Sequence, residues 1–146
     1  SGWDSRQIRC EALSHRSGTN PLRSHGRLGA ACGIEYAAQA MAVHGALMAE
    51  SEGHADPDLA TPRAGYLASI RNVALQVQRL DDLREDLIVV AERESGDSSS
   101  ILYSFSLHAG TTLLLSGRAI VILDAAAVMP TTPLTSDLEN SPREKP

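Results

Sequence analysis

The stretch Cys32-Gly33-Ile34-Glu35-Tyr36-Ala37-Ala38-Gln39-Ala40-Met41-Ala42-Val43-His44-Gly45-Ala46-Leu47-Met48-Ala49-Glu50 decides the reading of the fold. It is an alanine-rich helical pattern, opening at Gly33 or Ile34 and stopping between Glu50 and Gly53. Its apolar side chains fall on every side of the helical wheel, and a helix apolar all round is expected to be buried. Between its first turn and Glu50 the one carboxylate is Glu35. An acidic group there gains from the positive end of the helix dipole but loses solvation if buried, so its presence asks for a chemical reason.

Outward from the helix the period changes to two. Residues 66–78 place Leu67, Ile70, Val73, Leu75 and Val77 in mostly alternating positions, and residues 87–93 do the same around Ile88 and Val90. The acidic turn Asp81-Asp82-Leu83-Arg84-Glu85-Asp86 is expected to join these two strands. Gly96-Asp97-Ser98-Ser99-Ser100 then leads into Ile101, Tyr103, Phe105 and Leu107, a regular alternation, and Ala109-Gly110-Thr111 turns the chain into a last strand over residues 113–123. Gly117 inside it suggests a bulge or a close approach. Ahead of the helix, residues 6–14 alternate at Ile8, Cys10 and Ala12 and read as a strand. The segment from Ser14 to Gly33 has no period and reads as a long loop with its firmest turn at Asn20-Pro21.

Three sequential hairpins imply antiparallel pairing, and a sheet serving one such helix must curl around it, which gives an α+β architecture. Residues 1–127 read as a single domain. Residues 51–64, with His54, read as an exposed connection, and the Pro-, Ser- and Thr-rich tail 128–146 is expected to be disordered.

Composition narrows the function. A hydrophobic share of 42% with 21% charged residues is ordinary for a globular chain, and a net charge of -5 without a basic cluster argues against nucleic acid as a partner. One Trp, one Phe and three Tyr leave little for base stacking or an aromatic sugar site. Cys10 and Cys32 lack the spacing of a zinc site or redox dithiol and read as small hydrophobes. No metal-ligand cluster or phosphate loop appears, so no cofactor or metal is implied. The chain carries no secretory segment and no membrane span, which points to the cytoplasm.

The block Gly33-Ile34-Glu35-Tyr36-Ala37-Ala38-Gln39-Ala40 resembles the Glu-x-Met-Ala-Gln segment that opens the central helix of 3-hydroxyacyl-(acyl carrier protein) dehydratases. Residues 67–92, with Ile70-Arg71-Asn72-Val73 leading through Asp81-Asp82 to Leu87, resemble the strand-turn-strand that follows it. The likeness covers residues 6–124 and is strongest to the hotdog dehydratase subgroup of arylpolyene-type clusters. It implies the hotdog fold, a curved antiparallel sheet wrapped around one long central helix. Where the family carries His-Phe-Pro-Gly and a Pro-Gly pair, this chain reads His25-Gly26-Arg27-Leu28-Gly29-Ala30-Ala31-Cys32-Gly33. The family's additional N-terminal segment upstream of Arg6 is read as absent.

What the resemblance implies is a hydro-lyase that eliminates water from a 3-hydroxyacyl thioester in fatty acid or polyketide-type synthesis. The substrate would be carried on acyl carrier protein or coenzyme A. Such chemistry needs a base, an acid for the departing hydroxyl and a donor to the thioester oxygen. Glu35, expected to be buried, is assigned as the acid, with His25 or His15 as the catalytic base and His25 preferred. The Gly33 amide at the helix N-terminus is the expected carbonyl donor, and Gln39, one turn on, the group that orients Glu35. His44, about 900° around the helix from Glu35, is assigned to packing, as is His108. A competing structural reading pairs Glu35 with Arg27 or Arg71. Single hotdog domains pair edge to edge, so a homodimer or higher homo-oligomer is expected. The alternatives are a hotdog acyl-thioesterase, and a non-catalytic acyl-binding or partner subunit.

Overall fold

The computed structural model describes residues 1–53, 65–97 and 99–123. Strands β1 (Gly2–Trp3), β2 (Gln7–Ala12), β3 (Gly65–Leu75), β4 (Leu87–Gly96), β5 (Ser100–Ala109) and β6 (Thr112–Leu123) form one antiparallel sheet in the order β1-β2-β4-β5-β6-β3. Helix α1 (Gly33–Ser51) lies against β2, β4 and β5. This is the α+β arrangement expected from the sequence. His54, the connection at 54–64 and the tail beyond 123 fall outside the described residues.

Alternation positions the core. Ile101, Tyr103, Phe105, Leu107 and Ala109 of β5 all face inward, and Leu87, Val89 and Ala91 of β4 stand beside them. Tyr36, Ala37, Ala40 and Met41 close this layer from the helix side, with Leu28 and Leu80 filling the end near the helix start. Each fully buried leucine here contributes roughly 1.5–3 kcal/mol. Gly33 lets the helix start sit directly on the sheet, because a Cβ there would stand 2.4 Å from Leu115 Cδ2 and 2.8 Å from Leu107 Cδ2. Gly117 marks both features: a Cβ would meet Phe105 Cζ at 2.7 Å, and although the pairing with β5 continues unbroken through it, β3 shifts register opposite it, between Arg71 and Ala74.

Four features depart from the sequence reading. Helix α1 buries one face, through Gly33, Tyr36, Ala37, Ala40, Met41 and His44, while Ala42, Val43 and Ala46 are exposed. A single sheet can cover only one side of a helix, so an apolar wheel does not guarantee burial all round. Strands β3 and β4 do not form a hairpin: β3 pairs with β6 at the far edge, and residues 76–86 cross back to β4. As an edge strand β3 leaves Leu67, Ile70, Val73 and Leu75 exposed, and its pairing is interrupted by two irregularities, with Asn72 at φ 55° inside the second. Finally, Gly2 and Trp3 add a two-residue strand opposite Arg9 and Ile8, too short to leave a periodic signal.

Candidate functional site

The loop between β2 and α1 carries two short 3-10 turns, Ser14–Arg16 and Ala30–Cys32, and is held by hydrogen bonds to the 76–86 crossover. Leu80 N donates to Leu28 O at 2.8 Å and Ala30 N to Gln78 O at 3.0 Å. Asp81, its side chain 6% exposed, accepts the Leu28 N–H at 2.9 Å and the Arg79 guanidinium, with Arg23 at 4.0 Å. The Arg79 fork first, then the Leu28 amide, hold its carboxyl well below the usual carboxylate range. Arg16 ties the start of the loop to Asp86 at 2.8 Å and to the Arg84 carbonyl.

His15 belongs to this bracing. It is fully buried, and its Nε2 lies 3.2 Å from the Leu83 carbonyl. A carbonyl only accepts, so Nε2 carries the proton, and Nδ1 is left buried without a partner. Burial pushes the imidazole pKa down. A histidine with a depressed folded-state pKa gives full stability above its unfolded value, near pH 6.5, and loses it as pH falls through that value toward the folded one. His15→Gln keeps a donor for Leu83 and does not titrate. It should therefore flatten the decline in melting temperature between about pH 7 and 5, read by circular dichroism; an unchanged decline would assign it to another group.

His25 stands elsewhere. Ser24 and Arg27 exchange backbone hydrogen bonds of 2.9 and 3.0 Å around His25 and Gly26, whose φ values are 52° and 71°. Two left-handed central residues make a type I′ turn, and histidine is among the side chains that tolerate that region. The imidazole is exposed at the turn tip.

Where the loop meets the first turns of α1 a cleft of about 390 Å³ opens, lined among others by Ser14, Asn20, Leu22, Glu35, Tyr36 and Gln39. Gln39 Nε2 donates to Glu35 Oε1 at 3.3 Å, one helical turn apart, as their spacing predicted. Glu35 is exposed, which corrects the expectation of a buried carboxylate: it stands on the flank of α1 that the sheet does not reach. Among the described residues no arginine forms an ion pair with it. The expected donor at Gly33 is also not available, because a 3-10 turn over Ala30–Cys32 runs straight into α1 and the Gly33 N–H bonds back to Ala30 O. Neither His15 nor His25 lines this cleft within the chain.

Three cleft residues carried no functional reading in the sequence. Ser14, Asn20 and Tyr36 form a hydrogen-bonded cluster against the first turn of α1. Asn20 reads as a turn residue before Pro21, and it is one: its Oδ1 accepts Leu22 N–H at 2.9 Å. The usable signal was Tyr36, an aromatic with a polar end set in a run of alanines beside the carboxylate. His44 takes the packing role expected of it, fully buried between Tyr103 Oη at 2.8 Å and the Asp4 carbonyl at 2.7 Å.

The family model described as ApeP-like, ApeP dehydratase, matches residues 1–129. The chain belongs to the ApeP-like dehydratase family. Its members are dehydratases, so the class of reaction is that of a hydro-lyase. The fold is similar to that of the dehydratase heterocomplex ApeI:P from Xenorhabdus doucetiae, at 20% identity over 86% of this chain and 82% of that one, with a TM-score of 0.67. It is similar as well to a hot-dog-like protein from Thermanaerovibrio acidaminovorans, at 12% identity, 84% and 83% coverage and a TM-score of 0.53. A point mutant of the fluoroacetyl-CoA-specific thioesterase FlK shares the fold at 13% identity, 84% and 89% coverage and a TM-score of 0.54. These likenesses establish the hotdog fold for this member of the dehydratase family. No curated protein matches the chain. Among the described residues no helix is long and apolar enough to cross a membrane.

Proposed function

We propose that the cleft beside Glu35 takes a 3-hydroxyacyl thioester, carried on acyl carrier protein or coenzyme A in fatty acid or polyketide-type synthesis, and that water is eliminated there. The observation that carries this reading is the Glu35 carboxylate in a cleft of about 390 Å³ at the first turn of α1, oriented by Gln39. In its protonated form Glu35 gives its proton to the departing 3-hydroxyl, which leaves as water, while a base takes the proton next to the carbonyl; the base then loses that proton to solvent and Glu35 regains one, so that one water is lost overall. Two free cysteines fit residence in the reducing cytoplasm.

The base comes from a second chain. Among the described residues strand β3 ends the sheet with no partner on its outer edge, and Tyr66 is 51%, Leu75 48% and Ile70 37% exposed. An edge of that length and apolarity is a template for another strand. We place a second copy there, forming a homodimer, and assign the base to His25 of that copy, since His25 is exposed whereas His15 is spent on the Leu83 carbonyl. The ApeI:P heterocomplex supports association between hotdog chains as a feature of such enzymes.

A thioesterase is the second reading, favoured by one fact: among the described residues no histidine of the single chain lines the cleft, and a lone carboxylate can activate water against a thioester. Incubation with a 3-hydroxyacyl carrier-protein thioester, followed by mass spectrometry, separates the readings. Loss of water supports the dehydratase, release of free acid supports the thioesterase, and no change supports a non-catalytic subunit. Light scattering should give a dimer that Ile70→Lys dissociates, and His25→Ala should stop dehydration while leaving the dimer intact. A fully active His25→Ala variant would remove that histidine from the reaction.

A further inference from the structure

We propose that Ser14 and Asn20 set the Tyr36 hydroxyl so that its proton points into the Glu35 cleft and holds the carbonyl oxygen of the thioester. This rests on the reading of that cleft as the 3-hydroxyacyl site. It fills the role that the Gly33 amide, already bonded to Ala30 O, does not supply.

Leu22 N–H at 2.9 Å requires an oxygen at Asn20 Oδ1, and the Ser14 carbonyl at 2.9 Å requires an N–H at Asn20 Nδ2. Both constraints fix the same amide orientation. The second Nδ2 proton then faces Tyr36 Oη at 3.1 Å, so the phenol oxygen accepts it. Ser14 Oγ and Tyr36 Oη are 2.7 Å apart and share one hydrogen bond. Two hydroxyl groups own two protons, the contact between them uses one, and Asn20 offers no acceptor to the phenol. One hydroxyl proton is left over, in a cluster that lines the cleft.

Either hydroxyl can donate across the 2.7 Å contact; with Ser14 as its donor, the phenol accepts from both Asn20 and Ser14 and keeps its own O–H for the cleft, in the same helical turn as Glu35. When the proton beside the carbonyl is removed, negative charge gathers on the thioester oxygen, and a fixed donor there lowers the barrier without reorganising. The carboxylate and the phenol thus divide the substrate: Glu35 serves the departing 3-hydroxyl and Tyr36 the carbonyl.

The test compares Tyr36→Phe, Ser14→Ala and Glu35→Gln in the full chain, with a 3-hydroxyacyl carrier-protein thioester as substrate. Removing the one donor in Tyr36→Phe should lower kcat/KM by about 100-fold. Ser14→Ala removes one of the two groups that set the phenol but not the phenol's proton, so it should lower kcat/KM less, by roughly tenfold, the worth of one hydrogen bond. Melting curves for each variant establish that rates are taken on folded protein. Equal losses in Ser14→Ala and Tyr36→Phe would mean that the cluster only braces the loop, and would overturn the proposal. So would full activity in Tyr36→Phe alongside an inactive Glu35→Gln, with the reading of the cleft intact. If Glu35→Gln is as active as wild type, the reading of the cleft falls and this assignment falls with it.

Discussion

Glu35→Gln is expected to lower dehydration of a 3-hydroxyacyl thioester by at least about 100-fold, the usual worth of a positioned proton donor. The substitution is close to isosteric. Its amide oxygen can still accept the bond from Gln39, which the carboxylate accepts at 3.3 Å. The new side chain therefore fills the same place in the cleft, and only the ability to transfer a proton is gone. Glu35 is exposed and forms no ion pair among the described residues, so no buried partner is stranded and thermal unfolding should change little. The loss should appear in kcat, with substrate binding largely kept. An equal rate for the two proteins, measured as disappearance of the 3-hydroxyl species by mass, would take Glu35 out of the chemistry.

The helix was legible nearly to the residue: the pattern from Gly33 to Glu50 became α1 over Gly33–Ser51. So was β5, where side-chain alternation and burial coincide at Ile101, Tyr103, Phe105 and Leu107. Partnership was harder. Sequential strands are neighbours about two-thirds of the time, so a hairpin between β3 and β4 was the natural expectation. What accompanies β3 at the far edge is tertiary: the crossover runs along the loop before the helix, where Asp81 accepts the Leu28 N–H and Arg79 forms a β-bridge with Gly29, and those contacts carry no period. Glu35 shows a related limit. A wheel of alanines states that a helix has no polar face, not how many neighbours it has, and the side that β2, β4 and β5 leave uncovered was invisible. Histidines are opaque for a further reason. Sequence gives no sign that His15 is committed to a carbonyl, or that His25 occupies a turn position requiring positive φ. The hydroxyl cluster is of the same kind, since Ser14, Asn20 and Tyr36 meet only once the loop has folded onto the helix.

His44→Leu is the substitution expected to cost the most stability, about 3 kcal/mol. The imidazole is fully buried, donates from Nε2 to the Asp4 carbonyl at 2.7 Å, and therefore accepts at Nδ1 from the Tyr103 hydroxyl at 2.8 Å. Leucine replaces the volume and neither bond. The Asp4 carbonyl belongs to an exposed residue and can turn to water, whereas Tyr103 is 1% exposed and its hydroxyl is stranded. A stranded buried donor costs roughly 1–3 kcal/mol, and loss of the His44 bond to Asp4 adds about 1. Tyr103→Phe alone strands the imidazole lone pair instead. The double variant His44→Leu/Tyr103→Phe strands neither, so it should recover at least about 1 kcal/mol relative to the sum of the single changes. Urea unfolding measures the cycle, and additive single costs would show that the two side chains are not coupled. The same replacement frees the start of the chain. Trp3 packs edge-on to the His44 ring, with centroids 6.4 Å apart, and β1 follows Asp4 in losing its anchor to α1. Because Trp3 is the one tryptophan in the chain, its emission should shift to the red in His44→Leu before global unfolding begins. The cleft lies at the first turns of α1, ahead of His44, and His44 is not among its lining residues, so it should keep its turnover in the fraction that remains folded.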